Sequence, residues 1–268
     1  MSVSVPVGSS PLTLEQVVDV ARHSVPVEWA GNALARIARG RAALDERLAA
    51  GERIYGVNTG IGSNLNYSLT PEQAELLQHN LMRHLSCATG QPLPDEVVRG
   101  AMLLRLATFA TGCSGVRPEL CEALLNLLNA GVTPVVPRYG SVGASGDLMP
   151  SAYIARVLIG MGEARYRGER LTAPEALRRA GLEVIAFAPK EGLALINGTT
   201  MMTSVAALIL PEAVSTLRAL LRAIGLATEA LEAPVEPYAP FVHEKKGHPG
   251  QIAVAAYMRG LVAGSGQQ

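Results

Sequence analysis

Aromatic side chains are scarce in this sequence, at 4% of 268 residues, although 49% of the chain is hydrophobic. A core with so few Phe, Trp and Tyr has to be built from Ala, Leu, Val and Ile, which favours packed helices over a β-sandwich. Excess charge is also missing. The chain carries 23 Lys+Arg against 23 Asp+Glu, so it has no electrostatic footprint for nucleic acid or an anionic membrane. Lysine is confined to Lys190, Lys245 and Lys246, a bias that reads as genomic rather than functional. No CxxC spacing exists. Cys87, Cys113 and Cys121 are odd in number and read as buried, reduced thiols, not as a disulfide or a metal site. The most apolar run, Leu193 to Leu210, is broken by Asn197, Gly198, Thr199, Thr200 and Thr203, which predicts a buried helix and not a spanning one. Met1 to Pro11 shows no basic segment followed by an apolar stretch, so no signal peptide is expected. These absences describe a soluble, cytoplasmic protein of one or two domains.

What is present is helical periodicity. Leu14 to Arg22 reads as a short helix and Trp29 to Ala50 as a longer one ended by Gly51. A loop dense in Gly and Asn follows, Tyr55 to Asn66. Thr70-Pro71-Glu72-Gln73 then supplies an N-cap, a first-turn proline and a capping-box glutamine for a helix reaching Ala88. Pro94 to Thr111 and Pro118 to Asn129 give two more. Gly131 to Gly146 reads as loop, Leu148 to Ile159 as a helix, Ala164 to Leu171 as a hairpin, and Thr172 to Gly181 as a small capped helix. From Gly192 long helices are expected with interruptions at Pro211 and Gly225, then an irregular Pro234 to Gly250 and a last helix, Gln251 to Ala263. A small polar tail, Gly264 to Gln268, closes the chain. The class is mainly α.

The chemistry concentrates in Gly140-Ser141-Val142-Gly143-Ala144-Ser145-Gly146-Asp147-Leu148. Glycines at this density can cradle a phosphate, but the Walker pattern ends in Gly-Lys-Ser/Thr, and no lysine is near. The dinucleotide fingerprint needs another glycine spacing behind a buried strand. The other reading is covalent. In Ala144-Ser145-Gly146 the amide nitrogen of Gly146 can attack the carbonyl carbon of Ala144 if the backbone bends tightly, and glycine leaves that bend unobstructed. Loss of water closes a five-membered ring, and dehydration of Ser145 leaves an exocyclic methylene. The product is 4-methylideneimidazole-5-one (MIO), an electrophile that no ordinary side chain supplies. Taken alone, the tripeptide reads equally as a helix N-terminus capped by Ser145.

Its neighbours change that. Ser141 to Pro150, Ser-Val-Gly-Ala-Ser-Gly-Asp-Leu-Met-Pro, resembles the signature of the histidine, phenylalanine and tyrosine ammonia-lyase family. Tyr55-Gly56-Val57-Asn58-Thr59-Gly60-Ile61-Gly62 is similar to the family's tyrosine loop, and Leu77-Gln78-His79-Asn80-Leu81 to its substrate-pocket helix. Ser114-Gly115-Val116-Arg117, Lys190 to Thr199, and His248-Pro249-Gly250-Gln251 match three further blocks, in order. The resemblance implies an MIO-bearing N-terminal domain, 1–190, and the start of a long fumarase/aspartase-like helical bundle, 191–268. It implies elimination of ammonia from an aromatic L-amino acid to give an arylacrylate.

It also implies roles. The MIO electrophile captures the substrate amine and makes it a better leaving group. Tyr55 removes the β-proton; a free tyrosine, with pKa ~10, is a poor base near neutrality, so a positive environment is expected around it, and the Gly-rich loop is expected to let it close over the substrate. Asn197 bonds the ring carbonyl or the amine, while Gly60 and Gly62 give backbone access, with Gly62 in the substrate site. Asp147 is a helix-start acid that also assists ring closure. His84-Leu85 occupy the positions facing the substrate ring. Histidine-specific members carry Ser-His there, phenylalanine-specific ones Phe-Leu and tyrosine-specific ones His-Leu, so tyrosine is the expected substrate and coumarate the product. A surface histidine is the plainer reading of His84, with His79 one turn back.

The sequence departs from the family in length, stopping near half of it, just after His248-Pro249-Gly250-Gln251. A second tyrosine, an arginine clamp for the substrate carboxylate, and a later glutamine and glutamate are missing, and neither Arg105 nor Arg259 is taken to replace the clamp. The family's site draws on three subunits of a tetramer, so the expected partners are further copies or a complementing C-terminal half, with a small aromatic amino acid as ligand. Histidine or phenylalanine ammonia-lyase, tyrosine 2,3-aminomutase and an inactive truncated scaffold stay open.

Overall fold

Two capping boxes set the beginnings of helices on either side of the tyrosine loop. In the computed structural model, which describes residues 4–265, β1 (Val5–Val7) pairs in parallel with β2 (Val27–Trp29) across α1 (Leu14–His23), in the register Val5 to Val27 and Val7 to Trp29. Residues 1–3 and the end of the polar tail, 266–268, lie outside the described residues. Thr13 and Gln16 exchange side-chain and backbone hydrogen bonds at the start of α1. The next helix, α2 (Ala33–Ala49), starts later than its periodicity predicts, because Val27 to Trp29 is drawn into the strand pair with a segment more than twenty residues upstream.

The second capping box, Thr70 with Gln73 and Pro71 in the first turn, opens α3 (Pro71–His84) as expected. This helix stops at His84 instead of Ala88. The chain turns there into β3 (Thr89–Pro92), which pairs antiparallel with β5 beyond α4 (Asp95–Phe109), α5 (Pro118–Asn129) and β4 (Thr133–Pro134); β5 is Pro137–Tyr139. After α6 (Leu148–Leu158), the expected hairpin appears as β6 (Glu163–Tyr166) and β7 (Glu169–Thr172). Its two turn residues, Arg167 and Gly168, both have positive φ, the backbone of the tight hairpin turn that matches strand twist. β4 completes a three-stranded sheet in the order β4-β6-β7.

The chain continues through α7 (Ala173–Ala180), α8 (Glu191–Ile196), α9 (Thr200–Ala230), α10 (Pro240–Lys246) and α11 (Pro249–Val262). Two expectations fail here. α9 runs unbroken through Pro211 and Gly225: the proline forfeits its own hydrogen bond to Ala207 without ending the helix, and Gly225 is the flat spot on which Leu261 of α11 rests. The supposedly irregular 234–250 segment contains a short 3₁₀ turn, Glu236–Tyr238, and all of α10, with Gly247 in the left-handed conformation ending it. Residues 191–230 also pass, by length and composition, as a membrane span, with a window of mean hydropathy 1.7. That corrects the reading of the run as too polar, although its first turns are packed inside the protein.

The chain divides into two compact units, one ending at Leu208 and the other starting at Ile209, just before Pro211 in α9. In the first, α4 is the central helix. Ten of its residues are buried, including Arg99, whose guanidinium bonds Val20 O of α1 and Leu128 O of α5. Gly100 leaves room for Ser204 of α9, which donates to Val97 O at 2.8 Å. The second unit packs α11, through Ala255, Met258 and Val262, with the latter part of α9 and α10. Of the cysteines only Cys121 is buried; Cys87 and Cys113 are exposed, against expectation, and all three are free.

Candidate active site

The short helix α8 is the platform on which the candidate residues converge. Glu191, at its first position, is fully buried, and its carboxylate accepts from Arg117 N, Nε and Nη2 and from Ala188 N at 2.7–3.0 Å. Gln78 of α3, also fully buried, accepts from Leu193 N at 3.1 Å, and a Cβ on Gly192 would press on Gln78 at 3.1 Å. The block Leu77 to Leu81 thus does two things: Gln78 docks α3 on α8, while Leu77, Asn80 and Leu81 line a cavity.

The tyrosine loop lies on the same helix. Gly56 has φ +66, and a Cβ there would sit 2.3 Å from Leu193 Cδ2. Inside the loop the polar side chains are consumed locally. Asn58 accepts from Ile54 N and donates to Glu52 O, and the buried Thr59 hydroxyl accepts from Gly56 N and donates to Gly60 O. Tyr55 is 44% exposed, and its hydroxyl oxygen accepts from Gly62 N at 3.1 Å. Two residues singled out from the sequence therefore touch directly.

Between this loop and α3 lies a cavity of about 740 Å³, lined by Gly60, Ile61, Tyr67, Leu77, Leu81 and His84 among others. A volume of that order suits a small aromatic ligand. His84 reaches it; Leu85 does not line it and packs against the core. His79, one turn earlier, rests against the Phe187 ring at 6.1 Å between centroids, so the two histidines have different surroundings. Tyr67 and Asn64 in the lining carried no signal in the sequence.

Ala144 and Ser145 are exposed on a curl whose ends, residues 144 and 146, form a backbone bridge. Gly146 has φ +87, and a Cβ on it would lie 2.4 Å from Gly198 O, so only glycine fits. Closing a ring between the 144 carbonyl carbon and the 146 nitrogen needs a chain folded back over residue 145, and the curl has that shape. The N-cap of α6 is Asp147, not Ser145. The Asp147 side chain makes no capping bond to its own helix. Its backbone N donates to Gly198 O at 2.6 Å, and its carboxylate accepts from Met202 N at 2.8 Å in the first turn of α9, the end of a helix that favours negative charge. Asn197, the C-cap of α8, is exposed and directly precedes Gly198.

Arg105 of α4 went unrecognised as a site residue. It is 95% buried, and its Nη1 donates to Ala194 O at 3.1 Å and Asn197 O at 3.0 Å. Burial lowers its pKa to about 10, opposed by the charge of Asp147. An arginine within an otherwise apolar helical run was the signal available. Arg259, in the second unit, donates to Tyr238 O. Among the described residues no cluster of His, Cys, Asp or Glu has the makings of a metal site.

The chain matches the family model described as aromatic amino acid lyase over residues 12–267. It is 45% identical over 254 residues to the histidine ammonia-lyase of Deinococcus radiodurans, covering 95% of this chain and 48% of that protein. Among solved structures it is similar to the phenylalanine aminomutase of Pantoea agglomerans, with a TM-score of 0.92 and 33% identity over 98% of this chain and 51% of the other. The tyrosine aminomutase of Streptomyces globisporus gives a TM-score of 0.89 and 34% identity over 99% and 50%. The chain therefore spans about half the length of these relatives. A match of that extent, over a mainly helical fold of the same design, shows that the chain belongs to the aromatic amino acid lyase family.

Proposed function

We propose that this chain supplies the ring-bearing half of an enzyme that eliminates ammonia from an aromatic L-amino acid, with tyrosine preferred and coumarate as product. The observation that carries the reading is the convergence on α8: the tyrosine loop, the helix bearing His84 and the Ala144-Ser145-Gly146 curl are all seated on one six-residue helix and its C-terminal turn. The MIO group, once formed from the curl, supplies an electrophilic carbon for the substrate amine. Asn197 holds the amine end near the curl. Tyr55, its hydroxyl already resting on Gly62 N, takes the β-proton when a substrate displaces that contact. His84 bonds the phenol oxygen at the far end of the cavity, and the apolar wall of Ile61, Leu77 and Leu81 holds the ring. Leu85 acts from behind, by packing α3.

The name of the Deinococcus relative favours histidine as a second substrate reading, and the two solved aminomutases favour return of ammonia to the β-carbon as a second outcome. Because the chain spans half of its relatives, a complementing C-terminal half or further copies of a longer chain complete the proposed site, in the cytoplasm and without metal or nucleic acid. An inactive scaffold is the competing reading. Incubation with tyrosine, phenylalanine and histidine, with and without a C-terminal half, decides among these. Coumarate as main product supports the proposal; urocanate alone overturns the substrate, β-tyrosine the outcome, and no product under any condition the enzyme.

A further inference from the structure

The guanidinium of Arg105 offers more than its two acceptors use. Nε and Nη2 are buried without a hydrogen-bond partner in the structure, an arrangement that normally costs stability. Nη2 is aimed at Gly198: a Cβ on that glycine would sit 2.7 Å from it. Gly198 is in turn the residue whose carbonyl receives Asp147 N at 2.6 Å and fills the space beside the Gly146 Cα. A continuous path therefore runs from Arg105 through the carbonyls of Ala194 and Asn197 to Gly198, and from Gly198 to the curl. The Phe109 ring, 6.0 Å from the guanidinium carbon, packs beside the group. Arg99, two turns earlier on the same helix, is equally buried but has its bonds to α1 and α5, away from the curl.

We infer that Arg105 is a positioning residue for ring closure: by holding the 194–198 turn it presses the Gly198 carbonyl against the Gly146–Asp147 junction and keeps the curl bent for reaction. The inference rests on the curl being the ring precursor. In that reaction a bond forms from Gly146 N to the Ala144 carbonyl carbon, and the carbonyl oxygen departs as water with the hydrogens of the Gly146 and Ser145 amides, leaving a carbon–nitrogen double bond. Ser145 then loses its Cα hydrogen and its hydroxyl as a second water, which makes the methylene. No oxidant or reductant is needed. Attack of this kind requires the reacting atoms within about 3–3.5 Å, and a displacement of about 1 Å costs roughly 100-fold in rate.

The test follows intact mass against time after cell-free synthesis of the chain, made alone and together with the C-terminal half of a homologous lyase. Wild type, Arg105→Met, Arg105→Lys and the control Arg99→Lys are compared, with circular dichroism recording whether each folds. Wild type and Arg99→Lys should lose two waters at the same rate. Arg105→Met should fold yet close the ring about 100-fold more slowly, and Arg105→Lys, which keeps the charge and can still reach the two carbonyls, should be intermediate. If Arg105→Met does not fold, Arg105→Lys decides. Wild-type rates in the folded Arg105 variants overturn the inference, and so does equal slowing by Arg99→Lys, which would mark a general effect of stability. A wild-type chain that keeps its full mass in both preparations overturns the ring-precursor reading itself, and the inference with it.

Discussion

Replacing Glu191 with glutamine perturbs the platform of the site without changing its shape. The carboxylate is fully buried and receives four hydrogen bonds, three of them from Arg117. Glutamine removes the charge and turns one acceptor oxygen into a donor that must face either Arg117 or Ala188 N. Breaking a buried ion pair from one side costs about 3–5 kcal/mol. The Arg117 side chain is 37% exposed, so water shields part of the orphaned charge and the lower end, about 3 kcal/mol, applies. For a folding unit of this size that lowers Tm by about 6–12 °C. Thermal unfolding followed by circular dichroism at neutral pH measures it, and amide exchange at Leu193 should speed up in parallel as α8 loosens. A Tm within about 2 °C of wild type would refute the view that α8 is anchored through this carboxylate.

Three other consequences follow. Gly146→Ala places a Cβ 2.4 Å from Gly198 O at a left-handed backbone position; it should cost about 1–2 kcal/mol and leave Ser145 hydrated, as intact mass will show. His84→Phe removes the one imidazole of the cavity lining. With the complementing half present it should shift the ratio of coumarate to cinnamate formation toward cinnamate by about 10–100-fold, and an unchanged ratio removes His84 from substrate selection. Burial, reinforced by Glu191, Glu122 and Glu119, pushes the Cys121 thiol up to about 12, so at pH 8 a maleimide should label the exposed Cys87 and Cys113 and spare Cys121 until the protein unfolds; prompt labelling of all three contradicts the packing of α5.

Local signals in the sequence carried far. Thr70-Gln73 announces its helix because a capping box is complete within four residues, and Arg167-Gly168 lies inside the short polar stretch read as a hairpin. What was lost depends on partners distant in the chain. Trp29 looks like the start of a helix until Val7 is beside it, and Pro211 and Gly225 look like breaks until the packing of α9 is known. The site divides in the same way. The curl and the tyrosine loop are contiguous and so readable. Gln78 as a dock, Leu85 turned to the core and Arg105 beneath Gly198 are set by which face of each helix meets its neighbours, and Tyr67 in the cavity by how its loop folds back; one sequence does not reveal either.

The most direct test of the account is the intact mass of the wild-type chain, purified alone and beside a C-terminal half. A deficit of two water molecules, localised by fragmentation to Ala144-Ser145-Gly146 and abolished by Ser145→Ala, is the result expected. A full translated mass in both preparations, with Ser145 keeping its hydroxyl, would contradict it.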